Sequence, residues 1–309
     1  MEQQTYISEP EIRTQAWKFY AAAAAWPVYL FVLPYIFSIS WALALAFMIF
    51  PGIYIFTWVG YLMHETWHKY VPNIPNGALY NILSWMLLTD PQIYRILHGF
   101  HHSQVNTWDD NEFHPFGYIQ NSGIRKMSNF LEVFIGIAFL SVAAQFILPK
   151  HPKYKAKYKA SNAWLSLVVI NVFLVLVGYS SHVVFGVSFL QIALAFSITI
   201  WINSFVLHHS QLVEHGNLIA EGPWETRNAL TRNLKDDKWP EKIFLFLTHG
   251  DSREHVLHHT LTTIYSRPFP HKVPMPPNAV YIDLKDYMGI LGKMLSGETE
   301  VIKAGQEKI

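Results

Sequence analysis

Eight of the sixteen histidines in this 309-residue chain fall into three short boxes. The boxes are His64-Glu65-Thr66-Trp67-His68, His98-Gly99-Phe100-His101-His102 and His255-Val256-Leu257-His258-His259. Their spacings are HxxxH, HxxHH and HxxHH. Residues three and four apart share a helix face, so each box can aim its imidazoles at one point. Clustered imidazoles with no thiolate among them suit a nitrogen-rich site for borderline metals such as iron or zinc. The chain has no cysteine. That excludes disulfides, thiolate metal sites, iron–sulfur clusters and a cysteine nucleophile.

The elements that must carry these boxes are apolar. Hydrophobic residues make up 51% of the chain and charged residues 15%, with 21 Phe, 16 Tyr and 11 Trp; a soluble domain carries about 25% charged residues. A mean hydropathy of +0.16 is nonetheless too low for a chain that is membrane throughout. The composition implies apolar spans joined to a polar, histidine-bearing part. A net charge of +1 gives no footprint for nucleic acid.

Four stretches are long enough to cross a bilayer core of about 30 Å: residues 20–37, 39–63, 164–182 and 187–207. A turn is expected at Ser38-Ile39-Ser40, and another within Gly178–Gly186. Residues 78–88 are too short to span and read as interfacial or re-entrant. Residues 130–148 are long enough, but Lys150, Lys153, Lys155, Lys157 and Lys159 follow them, and a short lysine-rich loop belongs on the cytoplasmic side. If all three boxes build one site, an even number of crossings must separate the second from the third. The spans 164–182 and 187–207 supply two, so 130–148 is expected to be a surface-lying or re-entrant helix. The fold expected is all-α: a polytopic membrane protein with about four transmembrane helices in two hairpins and a cytoplasmic helical cap carrying the boxes. Residues 1–309 form one domain, with no repeat and no low-complexity segment.

Beyond the boxes the residues read more plainly. His114, His151, His182 and His271 fit interfacial side chains, and Trp26, Trp41 and Trp58 fit an aromatic belt. Pro268, Pro270, Pro274, Pro276 and Pro277 forbid a regular helix there. The segment Tyr281–Leu295 is expected to form an amphipathic helix that packs on the rest of the chain, with a lid or headgroup contact as the other reading.

The order of the boxes, with a hairpin before the first and another before the third, resembles the membrane fatty acid desaturase/hydroxylase family over residues 20–265. Box two continues His101-His102-Ser103-Gln104-Val105-Asn106-Thr107 into Asp109-Asp110, also as in that family. A further family histidine follows the last span, where Glu214-His215 stands here. Trp224-Glu225-Thr226-Arg227-Asn228-Ala229-Leu230 resembles a stretch of some acyl-lipid desaturases, and Thr248-His249 stands where those proteins often carry another histidine.

The resemblance implies a non-haem site of two iron ions held by His64, His68, His98, His101, His102, His215, His255, His258 and His259. His208, His209 and His249 are further candidate ligands or outer partners, and Asn203 a partner through water. Glu65, Asp109, Asp110, Glu214 and Glu254 are candidates to orient ligand imidazoles through their outer N–H groups. The activity implied is oxygen-dependent oxidation of an unactivated C–H bond, foremost desaturation of a long-chain fatty acyl group. Hydroxylation of an alkyl chain, oxidation of a carotenoid ring and oxidative decarboxylation to a terminal alkene are alternatives on the same scaffold. Glu65, where many desaturases carry Asp, and Thr260, where an apolar residue is usual, leave the substrate and outcome open. Electrons must come from separate proteins of the ferredoxin, rubredoxin or cytochrome type, and membrane lipid is the other partner. An outside reading is a non-catalytic metal-binding or transport protein of the membrane, which the position of the boxes outside the spans disfavours.

Overall fold

The computed structural model describes residues 9–68, 74–110, 112–113, 121–260 and 275–302. His114, His271, Pro268, Pro270 and Pro274 lie outside the described residues. The chain opens with α1 (Glu9–Ile39), which ends at Ser40, an extended residue whose hydroxyl caps the next helix at Leu43 N. Helix α2 (Trp41–Phe47), a π turn (Met48–Gly52) and α3 (Ile53–Trp67) then run on without a break. Pro51 lies in the π turn; proline has no N–H to give the regular ladder, which is the usual cause of such a local change. Helices α4 (Asn76–Met86) and α5 (Pro91–Gln104) follow, and then α6 (Ser122–Ile135), α7 (Ile137–Ile147), α8 (Ala160–Phe185) and α9 (Phe189–His215).

Four helical stretches are long and apolar enough to cross a membrane: Tyr20–Ile39, Trp41–Trp67, Ala160–Phe185 and Phe189–His215. These match the four expected spans, each extended at one or both ends. The expected second turn is tighter than the sequence suggests. Gly178, Ser180 and Ser181 are helical, and the chain reverses only at Gly186–Ser188, with Gly186 left-handed at φ 68. Only 11% of the apolar window of α8 is buried, and Leu165, Val168, Val172, Val175 and Leu176 are all exposed. A face this apolar needs lipid rather than water against it. On the inner side, Trp26, Leu30 and Leu33 of α1 pack with Phe56, Val59 and Leu62 of α3 and Ile192 and Phe196 of α9.

The stretch 130–148 is not one helix. It breaks at Gly136, where φ is 70 and any Cβ would collide with the Ser204 carbonyl. That close approach brings α7 against α9, where Ser204 Oγ caps Ala138 N at 2.7 Å. At 11 residues, α7 rises about 16 Å, roughly half the bilayer core. The 78–88 segment is α4, also 11 residues long.

After α9 come β1 (Leu218–Ala220), α10 (Trp224–Ala229), β2 (Arg232–Leu234), α11 (Trp239–Leu247), α12 (His255–Thr260), β3 (Val280–Ile282), α13 (Leu284–Ser296) and β4 (Glu300–Ile302). The chain is therefore not purely helical: β1 pairs with β4 and β2 with β3, both in parallel, three residues each. These pairings arise between segments distant in sequence, which helical periodicity cannot announce. They pin the C-terminal region to the segment after α9. Helix α13 packs on α6 and α9 through Tyr287, Ile290, Leu291 and Met294, as the packing reading of 281–295 anticipates.

Candidate metal centre

Boxes one and two reach the centre from α3 and α5, box three from α12, and His215 from the last turn of α9. Helical spacing stacks His98, His101 and His102 on one flank of α5. His255, His258 and His259 meet them from α12 in the same way. Two groups result. His64, His68, His98 and His258 have ligand-capable nitrogens within 4.8 Å of one another, as do His101, His215, His255 and His259. His102 joins the first group: its Nε2 lies 3.0 Å from His98 Nε2 and 3.2 Å from His258 Nε2. The structure thus brings together all nine imidazoles named from the sequence.

The separations fit a shared metal better than hydrogen bonding. His64 Nε2 is 3.0 Å from His258 Nε2, and His101 Nε2 is 2.9 Å from His259 Nε2. Two imidazole nitrogens held about 2.1 Å from one ion at a right angle lie about 3 Å apart. His98 Nε2, His102 Nε2, His258 Nε2 and His64 Nε2 converge in one chain of such contacts, and a ring nitrogen has a single in-plane site, so His102 and His258 cannot serve two hydrogen bonds each.

The outer nitrogens decide which atoms face inward. His101 Nδ1–H donates to Asp110 Oδ2 at 2.8 Å, and His98 Nδ1–H to Glu112 Oε2 at 3.0 Å. His215 Nδ1–H donates to Asn106 Oδ1 at 2.9 Å, and His259 Nδ1–H to Asn228 Oδ1 at 2.8 Å. Glu214 Oε2 lies 3.1 Å from His255 Nδ1, and the Tyr94 hydroxyl 2.9 Å from His64 Nδ1. Asp110, Glu112, Asn106 and Asn228 hold the proton on the outer nitrogen of their imidazoles and leave the Nε2 lone pair pointing inward, the form a metal requires. The asparagines are themselves fixed, since Asn106 Nδ2 donates to the Arg227 carbonyl and Asn228 Nδ2 to Thr260 Oγ1.

Burial sets the electrostatics. It pushes the imidazoles of His98, His255, His258 and His259 well below their ordinary range, with neighbouring histidines adding to the effect. These rings stay neutral, as ligands must. For His101 burial acts the same way, but the charge and hydrogen bond of Asp110 and the charge of Glu112 outweigh it and raise the pKa. Burial lifts the Glu112 carboxyl to about 7, with His101 opposing and Asp110 assisting.

Other residues named from the sequence stand elsewhere. His208 and His209 belong to neither group. His208 Nε2 meets Glu132 at 3.1 Å, and His209 sits between the Val133 carbonyl and the Tyr287 hydroxyl. The two-turn spacing from His208 to His215 puts both on one face of α9, but α6 lies across from His208 and offers the carboxylate first. His249 stacks on Trp58 and contacts the Tyr54 carbonyl through Nε2, so it too is no part of the groups. Asn203 contacts Thr199 on its own helix. Asp109 pairs with Lys153 at the surface. Burial raises the Tyr281 phenol and the nearby charge of Glu254 adds to it, and Glu65 is buried on α3. Of the proposed orienting carboxylates, Asp110 and Glu214 reach a ligand imidazole in the contacts described.

Four partners carry no role in the sequence reading: Glu112, Asn106, Asn228 and Tyr94. Asn106 and Asn228 stand inside the stretches singled out after box two and at 224–230. Glu112 follows Asp110 by two residues, and Tyr94 precedes His98 by one helical turn, so a search for polar residues beside the boxes would find these two and Asn106, whereas Asn228 lies far from any box in sequence. The 224–230 stretch also braces box two: Trp224 Nε1–H donates to the His102 carbonyl at 2.7 Å and Arg227 to the Val105 carbonyl at 2.8 Å.

A cavity of about 310 Å³ abuts the centre, within the range of small-molecule pockets. His64, His98, His101 and His255 line one side, and Phe56, Leu87, Leu97, Leu140, Ile200 and Leu207 are among its apolar walls. Neither curated proteins nor solved structures give a match to this chain. The sequence profile of the family described as "Fatty acid desaturase" matches residues 39–270, a span that contains all three boxes and His215. This membrane oxidoreductase with three histidine boxes belongs to the fatty acid desaturase family.

Proposed function

We propose that the chain is a single-domain, oxygen-dependent enzyme of the bilayer that desaturates a long-chain fatty acyl group at a centre of two irons. The observation that carries this reading is the contact between both imidazole groups and one apolar cavity. His64, His68, His98, His102 and His258 are the ligands of one iron, and His101, His215, His255 and His259 those of the other. The donor set suits the metal: nine imidazole nitrogens and no thiolate. Iron so held supplies the activation of dioxygen that removes hydrogen from an unactivated C–H bond, chemistry beyond any side chain.

The protein's own contribution is placement and exclusion. Leu97, Leu140, Ile200 and Leu207 bind the alkyl chain by burying it, at about 0.8 kcal/mol for each methylene removed from water. The same walls keep water from the reacting carbon. Asp110, Glu112, Asn106 and Asn228 hold the Nδ1 protons of their imidazoles through turnover, so no ring rotates or changes tautomer. The lysines between 150 and 159 favour the cytoplasmic side for this end of the spans and for the centre. Electrons arrive there from a separate ferredoxin, rubredoxin or cytochrome-type protein.

The test is incubation of detergent-purified protein with iron, reductant, oxygen and a mixed fatty-acid pool. New unsaturated acyl chains support the reading. Alcohol, ketone or terminal-alkene products replace the reaction while keeping the site. Bound zinc with no oxygen use removes the enzyme reading altogether.

A further inference from the structure

Leu88 occupies a backbone conformation that its side chain disfavours. Its φ is 60, in the left-handed region that glycine fills at helix ends. It stands just past the end of α4 in a double cap: Leu88 N–H donates to the Trp85 carbonyl at 3.0 Å and Thr89 N–H to the Ser84 carbonyl at 2.8 Å. In such a cap the residue at the left-handed position is usually glycine, and an apolar contact often joins the two residues of the outer hydrogen bond. Here those two residues are Ser84 and Thr89, both polar. Nothing in the cap itself calls for leucine.

The cavity does. Leu88 lines it, between Leu87 and Thr89 and together with His64, Tyr94 and His98. Residues kept against the preference of their own backbone cluster at functional sites, and Leu88 lines the same cavity as the candidate ligands. We propose that Leu88 is a specificity-determining residue: its side chain fixes the length and position of the alkyl chain in the cavity. The inference rests on the acyl-chain reading of the site and adds which residue sets the fit.

The two effects of Leu88 can be separated. Leu88→Gly removes the side chain and relieves the backbone; Leu88→Ala removes most of the side chain and keeps the strain. The full-length protein and both variants are loaded with iron and given an equimolar series of saturated acyl chains. The metal-free proteins are titrated with the same fatty acids by thermal shift. The expected result is a roughly tenfold change in the ratio of products from chains two carbons apart, in both variants, on the scale of discrimination that an apolar pocket gives for a methylene. The chain length that best stabilises the metal-free protein moves in the same direction. Leu88→Gly melts no lower than the original protein, and Leu88→Ala melts lower than Leu88→Gly.

Unchanged product ratios and an unchanged chain-length optimum in both variants overturn the inference while leaving the acyl-chain reading intact. So does a Leu88→Gly protein that melts far below the original, which assigns the side chain to packing. An original protein that oxidises no acyl chain refutes the underlying reading, and the inference with it.

Discussion

Asp109 and Asp110 are neighbours in sequence, and only one of them touches the centre. Asp110 is fully buried and accepts the Nδ1–H of His101 at 2.8 Å, with both side chains 1% exposed. Asp109 pairs with Lys153 where the two side chains are 44% and 47% exposed. Replacing Asp110 by Asn keeps the shape and removes the charge, and lets the amide present either end to His101. A hydrogen bond to a charged group contributes about 1.5–3 kcal/mol when buried. Loss of an outer partner of a metal-bound histidine lowers metal affinity about 10- to 100-fold, or roughly 1.4–2.7 kcal/mol. The two ranges agree because water does not screen this pair. An exposed pair such as Asp109–Lys153 contributes under about 1 kcal/mol and none of it to the metal. We predict that Asp110→Asn releases iron at a 10- to 100-fold lower chelator concentration, whereas Asp109→Asn releases it as the unaltered protein does. Iron per chain after dialysis against graded chelator reads both. Equal retention in the two variants refutes the assignment of Asp110 as the anchor of His101.

Three further predictions use other parts of the same arrangement. Asn228→Ala and Asn106→Ala each free an imidazole of the second group, so iron should fall from two toward one per chain; equal loss from both groups contradicts the pairing. His208→Asn leaves Glu132 buried beside a poorer partner and should destabilise the fold by about 1–3 kcal/mol, while folded protein keeps its full iron; iron loss would make His208 a ligand after all. The third concerns acid. Burial holds the folded pKa values of His98, His255, His258 and His259 below the ordinary 6.5, so the unfolded chain takes up protons near pH 6.5 that the folded chain refuses. His101 and Glu112, both with raised pKa values, oppose the four. The metal-free protein should therefore lose thermal stability as pH falls below about 6.5 and change little above about 7.5. A midpoint that rises on acidification contradicts the sign.

How far the sequence reaches is clearest at the boxes. Periodicity within each box fixes a helix face, so His98, His101 and His102 could be aimed together before any tertiary structure was known. The four spans were equally legible, because length without charge is a local property. The break at Gly136 was not. The run 130–148 is apolar on both sides of it, and the demand for glycine comes from the Ser204 carbonyl of another helix. The outer partners of the imidazoles are a tertiary matter too. Asp109 and Asp110 are indistinguishable by type, and the turn after α5 decides which one points inward. His208 shows the converse error: it shares a helix face with His215, yet α6 supplies Glu132 across from it before the centre is reached. The short strands escaped notice because each is three residues long and pairs at a distance.

The central claim is that nine imidazoles hold two irons against an acyl-binding cavity. Metal content of the detergent-purified full chain, paired with product analysis under reductant, oxygen and a mixed fatty-acid pool, tests it most directly. The account predicts about two irons per chain and a new double bond in an acyl product that disappears when oxygen is withheld. Zinc in place of iron, or iron with no oxygen consumed and no acyl chain altered, contradicts it.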